Sequence, residues 1–312
     1  MKLHINNSRT SSAIIALFVV FLWATSWVFV KIGLQEIPAL TFAGLRYTLA
    51  FIFLLPVVFM IKSGSSLRSI TKRSLSQLLF LGLLLYTVTQ GAIFVALDYM
   101  PAVSVNLLWS FSSVTVAILG IRFLNERPTL FQWVGVILAI FGAVIFFYPA
   151  AFPRNYQVGI IVSAIGILAN AGASILGRDI NRSGKLHPLI VTVVSMGIGS
   201  IVLLTSGIIV QGLPSIGLHG WAIIAWLAIV NTAIAFTLWN FTLRNLSATE
   251  SSVINGTMMI WIPILAVVFL DEHITHQELI GMIVAGIGTF IVQLRHPSAL
   301  YRLLGRRSIL RN

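Results

Sequence analysis

The polar side chains most suited to binding a ligand lie inside a long apolar run, 101–121. Asn106, Ser110 and Ser113 are spaced by four and three residues, which places them on one helix face with Trp109 at its edge. Polar groups that face lipid are costly, so this face must contact protein or a water-filled cavity. Amides and hydroxyls form hydrogen bonds but do not titrate near neutral pH, so the pattern predicts binding instead of catalysis.

Further amides and aromatic residues occur in the other apolar runs, several of them at the same helical spacing. They are Trp23, Trp27, Tyr86, Gln90, Asn170, Trp239, Asn255 and Met259. We expect them to line one amphipathic cavity that takes a small-molecule substrate. The alternative is helix packing, because small and hydroxyl residues also mediate helix contacts in membranes.

Two cations, Lys31 and Arg46, fall within apolar runs, near the outer ends of the first two predicted helices. Snorkelling of these long side chains to the outer membrane interface is the favoured interpretation. The alternative is a gating or binding role, in which they hold an anionic group or pair with Glu36.

Glu250 is a carboxylate inside an apolar run, about one turn from the inner end of the ninth. An acid within the membrane is a candidate for proton coupling. At this shallow depth it can also stay hydrated or meet Arg244. A proton carrier needs deeper burial to raise its pKa, so we favour a positioning role for Glu250.

Few residues are suited to catalysis or to metal binding. The chain has no cysteine, which excludes disulfides and thiolate metal sites, and its six histidines fall in loops, tails or helix ends. His273 and His276 beside Asp271 and Glu272 suggest a metal, but the acidic pair is better explained as an ordinary outer loop. We expect no catalytic residue, no metal and no cofactor. A lipid-modifying enzyme and a channel rank below a carrier.

Composition identifies the elements that hold these side chains. Of 312 residues, 58% are hydrophobic and 9% charged, against roughly 25% charged in soluble domains. Ten runs approach the ~20 residues that cross a bilayer core as a helix: 13–34, 41–61, 77–97, 101–121, 129–149, 157–177, 188–210, 221–243, 247–270 and 277–294. The predicted fold class is an all-α integral membrane protein with ten transmembrane helices. The net charge of +12 does not indicate nucleic acid, because the basic residues are scattered between runs.

The distribution of Lys and Arg sets the orientation. If all ten runs cross, 17 of the 20 basic residues fall on one side of the membrane, and Arg154 is the one exception in a loop. The positive-inside rule then predicts a multi-pass protein of the cell membrane with both termini cytoplasmic. The basic tail fits an anchor at anionic headgroups of the lipid bilayer; a regulatory partner is the alternative. The length of the first run argues against a cleaved signal peptide.

The second half of the chain repeats the first. Shifted by 146 residues, 97–145 and 243–291 share 13 identities in 49 positions. The loop Leu-Asn-Glu (124–126) matches Leu-Asp-Glu (270–272), and glycines follow in register. A unit of five helices is odd, so the second copy must be inverted. Inverted repeats are common in secondary transporters, whose substrate site lies where the repeats meet.

Small residues recur at helical spacing in the fifth and tenth runs. They are Gly135, Ala139 and Gly142, with the copies Gly281, Ala285 and Gly288. Such stripes let helix backbones approach closely. We expect them to pack helices within one protomer or between two, and the second case predicts a homodimer.

Four stretches carry a family resemblance along 13–294: Trp23-Ala-Thr-Ser-Trp27 with Lys31, Phe42-Ala-Gly-Leu-Arg46, the paired Glu-ending loops, and 238–248. In this order they resemble the EamA-type members of the drug/metabolite transporter superfamily. The resemblance implies a 5+5 inverted topology, export of small metabolites or drugs, and a cavity lined mainly by helices 1, 3, 4, 6, 8 and 9. Helix 1 lacks the acid of the related proton-coupled small multidrug transporters, which argues against proton antiport.

The predicted organisation follows from these patterns. It comprises a cytoplasmic N-terminal segment (1–12), a first five-helix repeat (13–149), a linker (150–156), a second, inverted repeat (157–294) and a basic cytoplasmic tail (295–312). We expect an exporter that works by alternating access, and the resemblance alone implies amino acids or related metabolites as substrates. Multidrug or nucleobase export is the alternative.

Single cysteines test the topology. Ser215→Cys and Ser308→Cys should react with a membrane-impermeant maleimide from opposite sides of the membrane, because one position is in a predicted outer loop and the other in the tail. The parent chain, which has no cysteine, is the blank control. Labelling of both positions from the same side of right-side-out cells would contradict the ten-helix topology.

Overall fold

The computed structural model describes residues 3–60, 71–123, 129–149, 154–182, 186–242, 245–246 and 248–293, and every regular element in these ranges is helical. Nine of these helices are long and apolar enough to cross a membrane, and a tenth, His276–Gln293, follows them. The predicted fold class is confirmed: this is an all-α integral membrane protein with ten helices in two five-helix repeats. The loop 124–126, Arg244 and the tail 295–312 lie outside the described residues.

The ten helices follow one another in alternating direction. They are α1 (Leu3–Gly33), α2 (Ala39–Met60), α3 (Lys72–Tyr99), α4 (Ala102–Ser110 and Ser112–Phe123), α5 (Leu130–Phe147), α6 (Arg154–Arg182), α7 (Pro188–Gln211), α8 (218–242), α9 (Ala248–Gly256 and Met258–Leu270) and α10 (His276–Gln293). The start of α1 and the end of α10 share one end of the bundle, here called the terminal end; the opposite end is the distal end. Because α1 begins at Leu3, most of the predicted N-terminal segment is helical.

Local sequence signals determine several helix ends. Thr129 and Gln132 form a reciprocal capping box that begins α5. Pro188 is the first residue of α7, where its missing N–H costs nothing. α9 ends at Asp271, whose left-handed φ of 54° turns the chain out of the helix.

Four helices form a close-packed scaffold at the junction of the two halves. α5 lies along its repeat equivalent α10, and α2 lies along its equivalent α7. A Cβ added to Gly142 would lie 2.6 Å from the carbonyl oxygen of Gly281, and one added to Gly207 would lie 2.6 Å from the amide nitrogen of Thr41. The small-residue stripes therefore pack helices within the protomer, where only glycine permits such close backbone contact.

The two halves also exchange one helix each. α1 packs against α8 and α9 of the second half, and its equivalent α6 packs against α3 and α4 of the first. An amide fixes each exchanged helix: Asn231 of α8 donates to the Thr25 hydroxyl of α1 at 3.1 Å, and Asn170 of α6 donates to the Ser112 hydroxyl of α4 at 2.7 Å. The result is two three-helix bundles, one of α1, α8 and α9 and one of α3, α4 and α6.

Irregular turns interrupt these bundles at equivalent positions. α3 has a π-helical turn over Leu83–Thr89 and α8 has one over Ile229–Ile234, which begins 146 residues later. α4 and α9 break at Phe111 and Thr257, again 146 residues apart. Beside these breaks, Ser110 and Thr257 each donate a hydroxyl hydrogen to a carbonyl three residues earlier, at 2.6 and 2.7 Å. Such bonds compete with the helical ladder and bend helices.

Alanine at Gly142 should destabilise the scaffold. The added methyl group would meet backbone atoms of Gly281 and Ala285, so α5 and α10 must separate at a cost of about 1–3 kcal/mol. Gly172→Ala is the matched control, because the nearest atom to its added Cβ is a side-chain methyl 3.6 Å away. That change should maintain or raise stability. Thermal melting of both variants in detergent measures the difference, and an unchanged Tm for Gly142→Ala would contradict the contact.

Candidate functional site in a central cavity

A cavity of about 640 Å³ lies between the two three-helix bundles. Most of its lining comes from α1, α3, α4, α6 and α9, with additions from α2, α5, α8 and α10. Val30 and Leu97 line its distal part, while Gln132, Arg178 and Gln293 line it near the terminal ends of their helices. The cavity therefore extends toward the terminal end.

Most of the residues predicted to bind substrate line this cavity. They are Trp23, Trp27, Gln90, Asn106, Trp109, Ser110, Asn170, Asn255 and Met259. The other two stand behind its wall: Tyr86 contacts the ring of Tyr47 and Trp239 contacts that of Trp23, with ring centres 5.8 and 5.1 Å apart. The structure thus brings the two sets of amides and aromatics together, and their binding role stays a prediction.

Arg46 lies in the cavity wall, so the prediction that it snorkels to the interface is wrong. Only 5% of its surface is exposed. Its Nε donates a hydrogen bond to the Thr232 hydroxyl (3.2 Å) in the π-helical turn of α8. Its guanidinium carbon lies 5.1 Å from the ring centre of Tyr47 and 5.9 Å from that of Phe94, within cation–π range. The contact of α2 with α8 decides this environment, and the sequence does not reveal that contact.

The spacing of residues in the sequence does not predict some polar residues of the wall. The Tyr47 hydroxyl donates to Gln90 Oε1 at 2.6 Å, which joins α2 to α3. Ser112 accepts the hydrogen bond from Asn170 that joins α4 to α6. One feature of the sequence points to Tyr47, which is its place beside a cation in an apolar run. No such feature points to Ser112, because the break in α4 takes it out of the helical spacing of Asn106, Ser110 and Ser113.

Three buried N–H donors of the cavity have no hydrogen-bond partner among the described residues. They are Trp23 Nε1, Asn106 Nδ2 and Trp109 Nε1. All three residues line the cavity. Buried donors left without a partner cost free energy, so this wall favours a ligand that supplies hydrogen-bond acceptors.

Two charged residues link helices at the distal end. Lys31 of α1 donates from Nζ to two carbonyls at the end of α3, those of Leu97 and Met100, the second at 2.8 Å. The Glu272 carboxylate, after α9, accepts from the first two backbone amides of α4 at 2.6 and 3.0 Å. A carboxylate there satisfies free N–H groups and the helix dipole. The loop interpretation of Glu272 did not foresee this cap. Within the described ranges, neither Lys31 nor Arg46 pairs with Glu36.

Glu250 lies in the first turn of α9, at the terminal end, and is half-buried. It interacts with a neighbouring residue and is not among the described residues that line the cavity. An acid in the first turn stabilises a helix, which agrees with a positioning role. Across the described residues, no group of three or more His, Asp or Glu is arranged to hold a metal.

The fold and the cavity define a membrane transporter of the inverted-repeat class. The model of the EamA-like transporter family matches residues 10–148 and 157–294, one copy in each half. The chain therefore belongs to the EamA-like transporter family.

Individual relatives agree with this membership. The uncharacterized transporter YoaV of Bacillus subtilis (strain 168) is 24% identical over 283 residues, which are 88% of this chain and 93% of that protein. The probable amino-acid metabolite efflux pump of Escherichia coli (strain K12) is 31% identical over 133 residues, 42% of this chain and 41% of the pump. A solved crystal structure has a similar fold, with a TM-score of 0.62 and 15% identity, and covers 91% of this chain and 98% of its own.

Alanine substitutions in the cavity should reduce transport. Gln90→Ala, Asn106→Ala and Trp109→Ala each remove a hydrogen-bonding group from the wall, and we expect each to lower the initial rate by about tenfold. Thr205→Ala is the control, because Thr205 is exposed on α7 outside the cavity. Rates would be measured as efflux of radiolabelled amino acids from loaded cells, with detergent stability checked in parallel. Normal transport rates in all three variants would show that this face of the cavity does not take part in transport.

Proposed function

We propose that the chain exports small metabolites, with amino acids or related compounds as substrates, by alternating access. The observation that carries the proposal is a membrane cavity that both halves line and that extends toward the terminal end, while Lys31 and Glu272 join helices at the distal end. An inverted repeat supplies two conformations of opposite opening, because each half can take up the contacts of the other.

In our proposal the terminal end, toward which the cavity extends, faces the cytoplasm. The sequence places 17 of the 20 Lys and Arg residues in segments at that end. The positive-inside rule supports a cytoplasmic location for it, and hence for both termini. In this orientation the conformation described is ready to take a substrate from the cytoplasm.

The packing supports a division into fixed and moving parts. The pairs α2–α7 and α5–α10 form the scaffold, and the two three-helix bundles carry most of the cavity wall. In our proposal these bundles rotate, which breaks the bonds of Lys31 and Glu272 and opens the distal end. The interruptions at Phe111 and Thr257 give α4 and α9 equivalent places to bend.

The support for the substrate class comes from a relative of the chain. The amino-acid metabolite efflux pump is a relative over less than half of each chain, and it supports amino acids ahead of drugs or nucleobases. An enzyme would need convergent titratable groups, and the described cavity lining contains no Asp, Glu or His. A channel would need a continuous pore, and charged groups tie helices together across the distal end.

Counterflow in proteoliposomes tests the proposal. Vesicles that contain the purified protein would be loaded with one unlabelled amino acid at millimolar concentration and diluted into its radiolabelled form. A carrier should accumulate the label transiently and saturably, because inward and outward steps share one site. Protein-free vesicles are the control. Uptake that is linear in concentration and indifferent to the internal amino acid would indicate a channel, and no uptake for any amino acid would overturn the substrate class.

A further inference from the structure

We infer that the transported molecule carries a carboxylate, which binds Arg46 in the wall of the central cavity. The inference rests on the proposed transport function and names the chemistry of its substrate. It begins with charge: among the described lining residues, Arg46 and Arg178 are cationic and none is acidic. The described wall around Arg46 therefore carries positive charge, which disfavours a cationic group beside it.

Arg46 is placed to hold an anion. It is 95% buried, and its Nε makes its one described hydrogen bond, to Thr232. In the part of the chain that the structure describes, no carboxylate pairs with it. A buried charge without a counter-ion is costly, and the planar fork of a guanidinium matches both oxygens of a carboxylate. A ligand carboxylate in the cavity supplies the missing partner.

The groups that share the wall with Arg46 are donors too. Asn106, Trp109 and Trp23 each present a buried N–H without a described partner. Gln90 accepts from Tyr47 through its oxygen, which leaves its amide hydrogens available. Such a wall selects a chemical group made of acceptors. An ionised carboxylate has about four lone-pair sites and no donor, so it fits where an ammonium group does not.

The remaining lining determines what else the substrate contains. Trp23, Trp27 and Met259 provide apolar and aromatic surface, which suits a side chain. The ammonium of an amino acid can lie over an indole face, since none of the described lining residues is an acid that could receive it. A phosphate dianion would need a second cation beside Arg46. The other cation of the described lining, Arg178, lies eight residues beyond Asn170 toward the terminal end. The structure thus favours free acids and amino acids.

Arg46 has no counterpart in the other half. The residue 146 positions later is Thr192, whose hydroxyl donates to the carbonyl of Pro188 at 3.1 Å. The anion site therefore belongs to the first repeat alone. In the proposed cycle both conformations must present the carboxylate of the substrate to Arg46.

Thiol reactivity tests the charge of the cavity without a known substrate. Ser113 lines the cavity, and Ser113→Cys would be the one thiol of the cysteine-free chain. In detergent, an anionic sulfonatoethyl methanethiosulfonate should react faster than its cationic trimethylammonium analogue, relative to Ser215→Cys outside the cavity. The added change Arg46→Gln should lower this preference by about tenfold. Arg178→Gln is the matched control, which removes one positive charge from the same cavity and should lower it less.

Protection of the same thiol identifies the ligand group. 3-Phenylpropionate, phenethylamine and phenyl phosphate share a ring and differ in charge; 4-methylpentanoate and isoamylamine repeat the comparison on a branched chain. Millimolar carboxylates should slow modification of Ser113→Cys, and the amines should not. Arg46→Lys retains the charge but loses the fork, so it should keep the reagent preference and lose much of the protection.

The outcomes separate this inference from the proposed function. Stronger protection by the amines or by phenyl phosphate, or no protection by either carboxylate, overturns the carboxylate site. The protection experiment needs no substitution at Arg46, so it decides whether the cavity binds a carboxylate even where Arg46→Gln fails to fold. Carboxylate protection without counterflow would instead overturn the transport function and leave an anion-binding cavity.

Discussion

The backbone contacts of α2 with α7 and of α5 with α10 are the interaction on which the rest of this structure depends. Within lipid, apolar side chains gain little by moving from one apolar surrounding to another, so helices associate through close packing. Glycines allow that packing here: a side chain on Gly44 would overlap the backbone of Leu204, and one on Gly288 that of Ala139. Four helices are fixed in this way, and the other six are free to enclose a polar space.

The exchange of α1 and α6 explains how polar residues are tolerated inside the membrane. Each exchanged helix carries amides or hydroxyls that lipid would penalise, and each finds partners in the opposite half. Thr25 meets Asn231, and Asn170 meets Ser112. Since the packing of α1 on the second half is the repeat equivalent of the packing of α6 on the first, a change in one bundle has a matching change available in the other. Alternating access is the proposed use of that equivalence.

The fold could be predicted from the sequence, because the hydropathy of each run and the 146-residue repeat are both visible along the chain without knowledge of which helices touch. It also predicted nine of the cavity residues, since polar side chains in apolar runs have to face one another. It failed where the neighbour of a residue decides its environment. Arg46 is placed near a helix end by counting, yet the packing of α2 on α8 buries it. Glu272 belongs to a loop, yet it caps a helix 170 residues earlier, and the breaks in α4 and α9 leave no periodic signal.

The cap at Glu272 has a consequence for the membrane as an insulator. With the carboxylate seated on α4 and Lys31 on the end of α3, four backbone groups at the distal end are satisfied by charged partners. Hydrogen bonds to buried charged groups contribute about 1.5–3 kcal/mol each, and less where water reaches them, so in the proposed cycle these four bonds favour a closed distal end. A distal end closed in this way would let a cell hold many copies of such a protein at rest without dissipating the ion gradient across its membrane.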